Sequence, residues 1–164
     1  MAQKRSLLVD FPKIVRAAKD RFQLDLKGIH GVSHWQRVRE NGHRIAKRTG
    51  VEPDLVDLFA YMHDCCREDD LSDLGHGERA AEFVQTLRGS LFDLEEDTFQ
   101  VLFEAIRDHE LGMISGNIVK STCWDADRLD LGRVMIRPNT KFLGTEFAKR
   151  PDTIEWAYRR SLAT

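Results

Sequence analysis

The sequence predicts an all-α fold, a compact bundle of several helices. Apolar residues recur at three- and four-residue spacings in nearly every readable segment, and no period-two alternation of a half-buried strand occurs. Start and stop signals such as Asp10-Phe-Pro and Gly50 bracket those segments. A chain of 164 residues is read as one domain, 1–164, long enough to bury a core without disulfides.

Asp10 and Pro12 supply a cap and an early proline for a first helix that runs to about Phe22. Gly28 to Ser33 reads as a loop, with Ser33 capping a second helix that stops at Gly50 after the basic stretch from Arg44 to Arg48. Pro53 and Asp54 open a third helix, in which Leu55, Leu58, Phe59 and Met62 form a buried stripe continued by His63. Residues 69–76 form a polar turn region before a fourth helix from Glu78 to Leu87, packed through Ala80, Ala81, Phe83 and Val84. A fifth helix spans about Leu94 to Glu110. A sixth starts near Asn117, carries Ile118, Val119, Cys123, Ala126 and Leu129, and is stopped by Gly132. Pro138, Gly144 and Pro151 then break the chain into short pieces before a last helix around Ile154 to Arg160.

Several function classes lose support at once. No apolar run approaches the ~20 residues a membrane helix needs, so no membrane association is expected. The start has only a brief Leu7-Leu8-Val9 cluster where a signal peptide needs roughly 7–15 apolar residues, and a cytoplasmic location is expected. Cys65 and Cys66 are neighbours that cannot bridge without strain, Cys123 is left over, and no CxxC pair exists; all three read as small buried hydrophobes. Net charge is −2 but unevenly spread: residues 1–50 carry 12 basic and 4 acidic groups, residues 51–110 carry 4 and 17, and residues 111–164 carry 9 and 6. The acidic middle suits a cation, although Glu95-Glu96-Asp97 and Asp69-Asp70 read as solvated surface. Dedicated nucleic-acid binding has no electrostatic support.

Position, not number, makes the histidines informative. His63 follows Phe59 by four residues on the buried side of the third helix, and Asp64 comes next. A buried carboxylate is costly unless it is paired or binds a cation. His109 shares an inward face with Leu102, Ala105 and Ile106 on the fifth helix. On the sixth, Asp125, Asp127 and Asp130 compete, and periodicity does not separate them. His34 opens the second helix; His43 lies about half a turn away from it and reads as surface. Dispersed ligands from different helices are how bundles build internal metal sites, and imidazole with carboxylate suits divalent ions such as manganese, iron, cobalt, nickel, zinc or magnesium.

The ordered segments His30-Gly-Val-Ser-His34-Trp-Gln-Arg-Val, His63-Asp64, Ile106-Arg-Asp-His109 and Trp124-Asp-Ala-Asp127-Arg-Leu-Asp resemble the signature of the HD-domain superfamily of metal-dependent phosphohydrolases, over about residues 28–132. The resemblance implies a primary metal held by His34, His63, Asp64 and Asp127, and it selects Asp127 over Asp125. It further implies that His76 and His109 serve a second metal or the substrate phosphate, with His76 equally readable as a turn residue between Gly75 and Gly77. One nucleotidase branch has a glutamate three residues after the His-Asp aspartate; here that place holds Arg67, which departs from the branch and suits a phosphate oxygen. The competing reading pairs Arg67 with Asp69 or Asp70. Arg128 has a similar choice between substrate and neighbouring aspartates.

The expected activity is hydrolysis of a small phosphorylated metabolite, a nucleotide by analogy, by water activated at one or two divalent ions, with Asp64 as the catalytic carboxylate. Two alternatives stand beside it: a di-iron oxygenase of the same superfamily, and a non-catalytic module sensing a nucleotide or metal. Residues 133–164 read as a helical extension or lid.

Overall fold

The structure, a computed structural model, describes residues 9–163. Within them run α1 (Phe11–Arg21), α2 (Val32–Thr49), α3 (Pro53–Met62), α4 (His76–Leu87), α5 (Glu96–Asp108), α6 (Ile118–Arg128) and α7 (Pro151–Leu162), with 3₁₀ turns at His109–Leu111, Leu131–Val134 and Thr140–Phe142. Among the described residues there is no strand, only isolated bridges of Val9 and Arg88 with Phe92. The fold is all-α, as the periodicity predicts. No helix of the described residues is long and apolar enough to cross a membrane. Leu7 and Leu8 lie outside the described residues.

The shortest helix lies at the centre. α3 buries Val56 and Ala60 as well as the predicted stripe, and it packs against α1, α2, α4, α5 and α6. A helix that is apolar on nearly every side has nowhere to go but the interior. Its one carboxylate there, Asp57, accepts from Arg39 Nε at 2.9 Å and is bridged to His43 Nε2 at 2.5 Å. His43 is therefore not the free surface residue expected, but a half-buried partner of Asp57, remote from His34.

Local signals misplace several boundaries, each for a tertiary reason. Ser33 does not cap α2. The cap is Gly31, whose backbone packs so tightly on Leu26 that an added Cβ would lie 2.2 Å from the Leu26 carbonyl oxygen. The Val32 amide donates to that same carbonyl at 2.8 Å, which starts the helix one residue before Ser33. α4 begins at His76 rather than Glu78, and α7 at Pro151 rather than near Ile154, since proline suits a first helical position. α5 begins at Glu96, because Leu94 is drawn into the core and its carbonyl accepts from Arg88 at 2.8 Å. Ile118 is 48% exposed rather than part of the α6 core face. Gly132 does not stop α6; the helix ends at Arg128, and Gly132 lies buried in the following 3₁₀ turn, which packs against α7.

Candidate metal centre

Four imidazoles converge on Asp64, and each is oriented by its Nδ1. His63 Nδ1 lies 3.1 Å from the carbonyls of both Phe59 and Ala60, and its ring stacks on Phe59 with centroids 4.9 Å apart. His109 Nδ1 lies 2.7 Å from the Ile106 carbonyl, and His76 Nδ1 lies 2.6 Å from that of Asp73 and 2.9 Å from Glu110 Oε2. His34 Nδ1 meets Asp130 Oδ2 at 2.7 Å, and Arg37 Nε donates to the other oxygen of Asp130 at 2.7 Å. Carbonyls and ionised carboxylates only accept, so each Nδ1 carries the hydrogen and each Nε2 presents a lone pair inward. Those lone pairs face one another: His34 and His63 Nε2 are 3.1 Å apart, His76 and His109 Nε2 2.9 Å apart. Such pairs need a cation between them, a proton or a metal ion.

Asp64 joins the two pairs. Its Oδ2 lies 3.3 Å from His34 Nε2 and 3.5 Å from His63 Nε2, while its Oδ1 lies 3.2 Å from His76 Nε2 and 3.4 Å from His109 Nε2. Asp127 Oδ1 completes the first side at 3.3 Å from His34 and 3.6 Å from His63, and it is a buried oxygen with no hydrogen-bond partner. An unpartnered buried carboxylate oxygen beside two imidazole lone pairs fits a divalent cation. Three ligand groups have their atoms within 4.8 Å of one another: His34, His63 and Asp64; His63, His109 and Asp127; and Asp64, His76 and His109.

The electrostatics of the protein alone follow from this crowding. Burial works against ionising Asp64, yet the imidazoles of His63, His109, His34 and His76 crowded around it hold its carboxyl well below the usual carboxylate range. Asp127 is likewise held low, burial being outweighed by the adjacent imidazoles of His34 and His63 and by the Arg133 charge. Burial and the Arg133 charge oppose protonation of His34, but the carboxylates of Asp127, Asp130 and Asp64 around its ring raise its pKa to about 9.

The three aspartates that periodicity could not separate have three different occupations. Asp125 accepts from the amides of Gly144 and Thr145, each at 2.7 Å, and from the Thr145 hydroxyl at 2.6 Å, anchoring the segment before α7. Asp130 orients His34. Asp127 alone of the three borders the cavity above Asp64, a space of about 520 Å³. Arg67 and Arg128 both line this cavity. Arg67 Nε lies 3.4 Å from Asp64 Oδ1 and its Nη1 donates to the Asp69 carbonyl at 2.8 Å, an arrangement between the two predicted for it. Arg128 donates through Nη1 to the Phe142 carbonyl at 2.7 Å, while its buried Nη2 has no partner.

Over most of its length the chain resembles a solved structure, that of a predicted HD superfamily hydrolase from an uncultured Thermotogales bacterium. The TM-score is 0.71 at 25% sequence identity, over 94% of this chain and 88% of that one. This chain is an HD-superfamily protein. No family model and no curated protein matches its sequence.

Sequence reasoning assigned no role to four residues of this site. Arg133 lines the cavity, with Nη1 donating to the Asp130 carbonyl at 3.0 Å, Nη2 3.9 Å from Asp127 and a buried, unpartnered Nε. Glu110 holds His76 and accepts from the Gly75 amide at 2.9 Å. His30 is buried and its Nδ1 lies 2.8 Å from Asp70, which corrects the reading of Asp70 as merely solvated; burial lowers the His30 pKa to about 4. Gly77 lets the α4 backbone reach α5, since a Cβ there would sit 2.4 Å from the Arg107 carbonyl oxygen. Adjacency to His109 could have flagged Glu110, and the short spacing from Asp127 and Asp130 could have flagged Arg133; His30 and Gly77 meet Asp70 and Arg107, too distant in sequence for any local signal.

Proposed function

We propose that this chain is a metal-dependent phosphohydrolase that cleaves a small phosphate ester, a nucleotide being the substrate class that fits best. The observation that carries the reading is Asp64 lying between two imidazole pairs beneath a cavity bordered by Arg67, Arg128, Arg133 and Arg137. Acceptor-rich floor and cationic walls suit metal ions below and a phosphoryl group above. His34, His63, Asp64 and Asp127 would hold one divalent ion, and His76, His109 and Asp64 a second. When bound, such ions acidify a water and offset phosphoryl charge.

The chain's own groups do the rest. Asp64 orients the attacking water or accepts its proton, which leaves the ester split into an alcohol and inorganic phosphate. Arg128 Nη2 and Arg133 Nε are unpartnered buried donors at the cavity wall, and hydrogen bonds from them would stabilise charge growing on the phosphoryl oxygens. Arg67 adds a third cation while its link to Asp69 holds it in place. Phe142 and Ile136 give the cavity an apolar side against which a planar base can rest.

The test is phosphate release from a panel of nucleoside phosphates and sugar phosphates with manganese, magnesium, cobalt, nickel, zinc and ferrous iron, joined to elemental analysis of the purified protein. Release that depends on added or bound metal is expected. Tight ligand binding with no turnover, or oxygen consumption by an iron-loaded sample without phosphate release, would overturn it in favour of a sensor or an oxygenase.

A further inference from the structure

A second concavity, of about 290 Å³, lies where the C-terminal part of α2 meets the start of α7. It is lined by Arg44, Lys47, Arg48, Phe147, Arg150 and Asp152. Four cations against one carboxylate make it net +3 on a chain whose own net charge is −2. The carboxylate is already engaged: Arg150 grips Asp152 through Nε at 3.0 Å and Nη2 at 2.8 Å. Arg44, Lys47 and Arg48 have no carboxylate partner among the described residues. Lys47 and Arg48 stand in the last turn of α2, where cations offset the helix end, but that end amounts to only about half a negative charge. An excess of positive charge is left over.

Aromatic faces, not counterions, hold these guanidinium groups in place. Arg44 Cζ lies 3.9 Å from the centre of the Trp156 ring, with Arg160 at 4.4 Å from the same ring. Arg48 and Arg150 both lie 5.6 Å from the centre of Phe147. Contact through the flat face of a guanidinium leaves its N–H edge free, and that edge is the fork that matches two oxygens of a phosphoryl group. Arg44 and Arg48, four residues apart, project from one side of α2. At 1.5 Å per residue they stand about 15 and 21 Å along the helix from His34, so the concavity is separate from the metal centre.

We propose that this concavity is a second anion site, which takes a small phosphate-bearing molecule: free phosphate or pyrophosphate, or the phosphoryl end of a larger metabolite. Its volume suits a phosphoryl group and little more, and two arginine forks with a lysine point charge match that ligand's oxygens. The proposal does not depend on the hydrolytic activity of the other site.

Calorimetric titration of the whole protein with inorganic pyrophosphate tests it. Two binding events are expected, one at each cavity. Lys47→Gln with Arg48→Gln should weaken one of them by about tenfold or more, leaving the other event unchanged and lowering the ligand-free Tm by no more than about a few degrees. Should that double variant fold poorly, Arg48→Lys keeps the charge but loses the fork, and a weakening of severalfold is expected from it. Binding that is identical in wild type and both variants overturns the site. A single-stranded oligonucleotide that binds more tightly than pyrophosphate, and is lost in the same variants, overturns the small-anion assignment in favour of a nucleic-acid surface.

Discussion

The two imidazole pairs flanking Asp64 rest on different foundations. His34 within α2 and His63 just past the end of α3 have no solvent exposure, and His34 depends on a carboxylate 96 residues along the chain. His76 and His109 lie at the first residue of α4 and just past the last of α5, each pinned by a carbonyl three residues back. Gly77, next to His76, lets α4 approach α5 closely at this point. Packing among α2, α3 and α6 therefore supports the first pair, whereas the α4–α5 contact, whose close backbone approach at Gly77 adjoins His76, supports the second. A disturbance at the α4 start should spare one side of Asp64 and damage the other.

The largest effect is expected from His63→Ala, which removes the proposed ligand nearest the core. Bound metal should be lost and phosphate release fall to background, with helical circular dichroism retained, because the packed framework stays in place. Full metal content in this variant would sink the assignment of the first pair. Gly77→Ala probes the other foundation: a Cβ would meet the Arg107 and Ile106 carbonyl oxygens at 2.4 and 2.9 Å, so α4 must move. A stability loss of about 1–3 kcal/mol is expected, with metal stoichiometry falling while the His34 and His63 side still binds. His76→Ala should lower stoichiometry in the same way with Tm close to wild type. Unchanged stoichiometry in both would erase the contrast between the pairs.

Asp130 and Asp125 sharpen the same contrast within α6 and its end. Asp130→Asn disturbs the orientation of His34 and should weaken metal binding by about 10–100-fold in a chelator competition. Asp125→Asn leaves the ligands alone but loses charge-assisted bonds to Gly144 and Thr145; about 1–3 kcal/mol of stability should be lost, with metal affinity kept. Arg67→Ala should retain metal and Tm yet lower kcat/KM by about one to two orders of magnitude, the loss of about one charge-assisted contact, and Arg67→Lys should restore part. Lost stability with full kcat/KM would return Arg67 to a surface role. The smallest effect belongs to His43→Ala: activity and metal content stay at wild type, and denaturant unfolding shows about 1 kcal/mol lost, since Asp57 keeps its bond from Arg39.

What the sequence determined by itself was whatever depends on nearest neighbours and helical period. Asp10 accepts from the Lys13 amide at 3.2 Å as a cap should, and the stripe through Phe59 and Met62 carries His63 and Asp64 inward. The face shared by Leu102, Ala105 and Ile106 carries His109 inward as well. All of that is legible because side chains three and four residues apart share a side of a helix whatever surrounds it. Tertiary structure alone decided which of Asp125, Asp127 and Asp130 faces the cavity, because each meets groups 19 or more residues away, and a stretch under two turns long cannot encode that choice. The same holds for Gly77 and the basic concavity between α2 and α7. Their roles are defined by distance through space, between segments whose separation along the chain leaves no periodic trace.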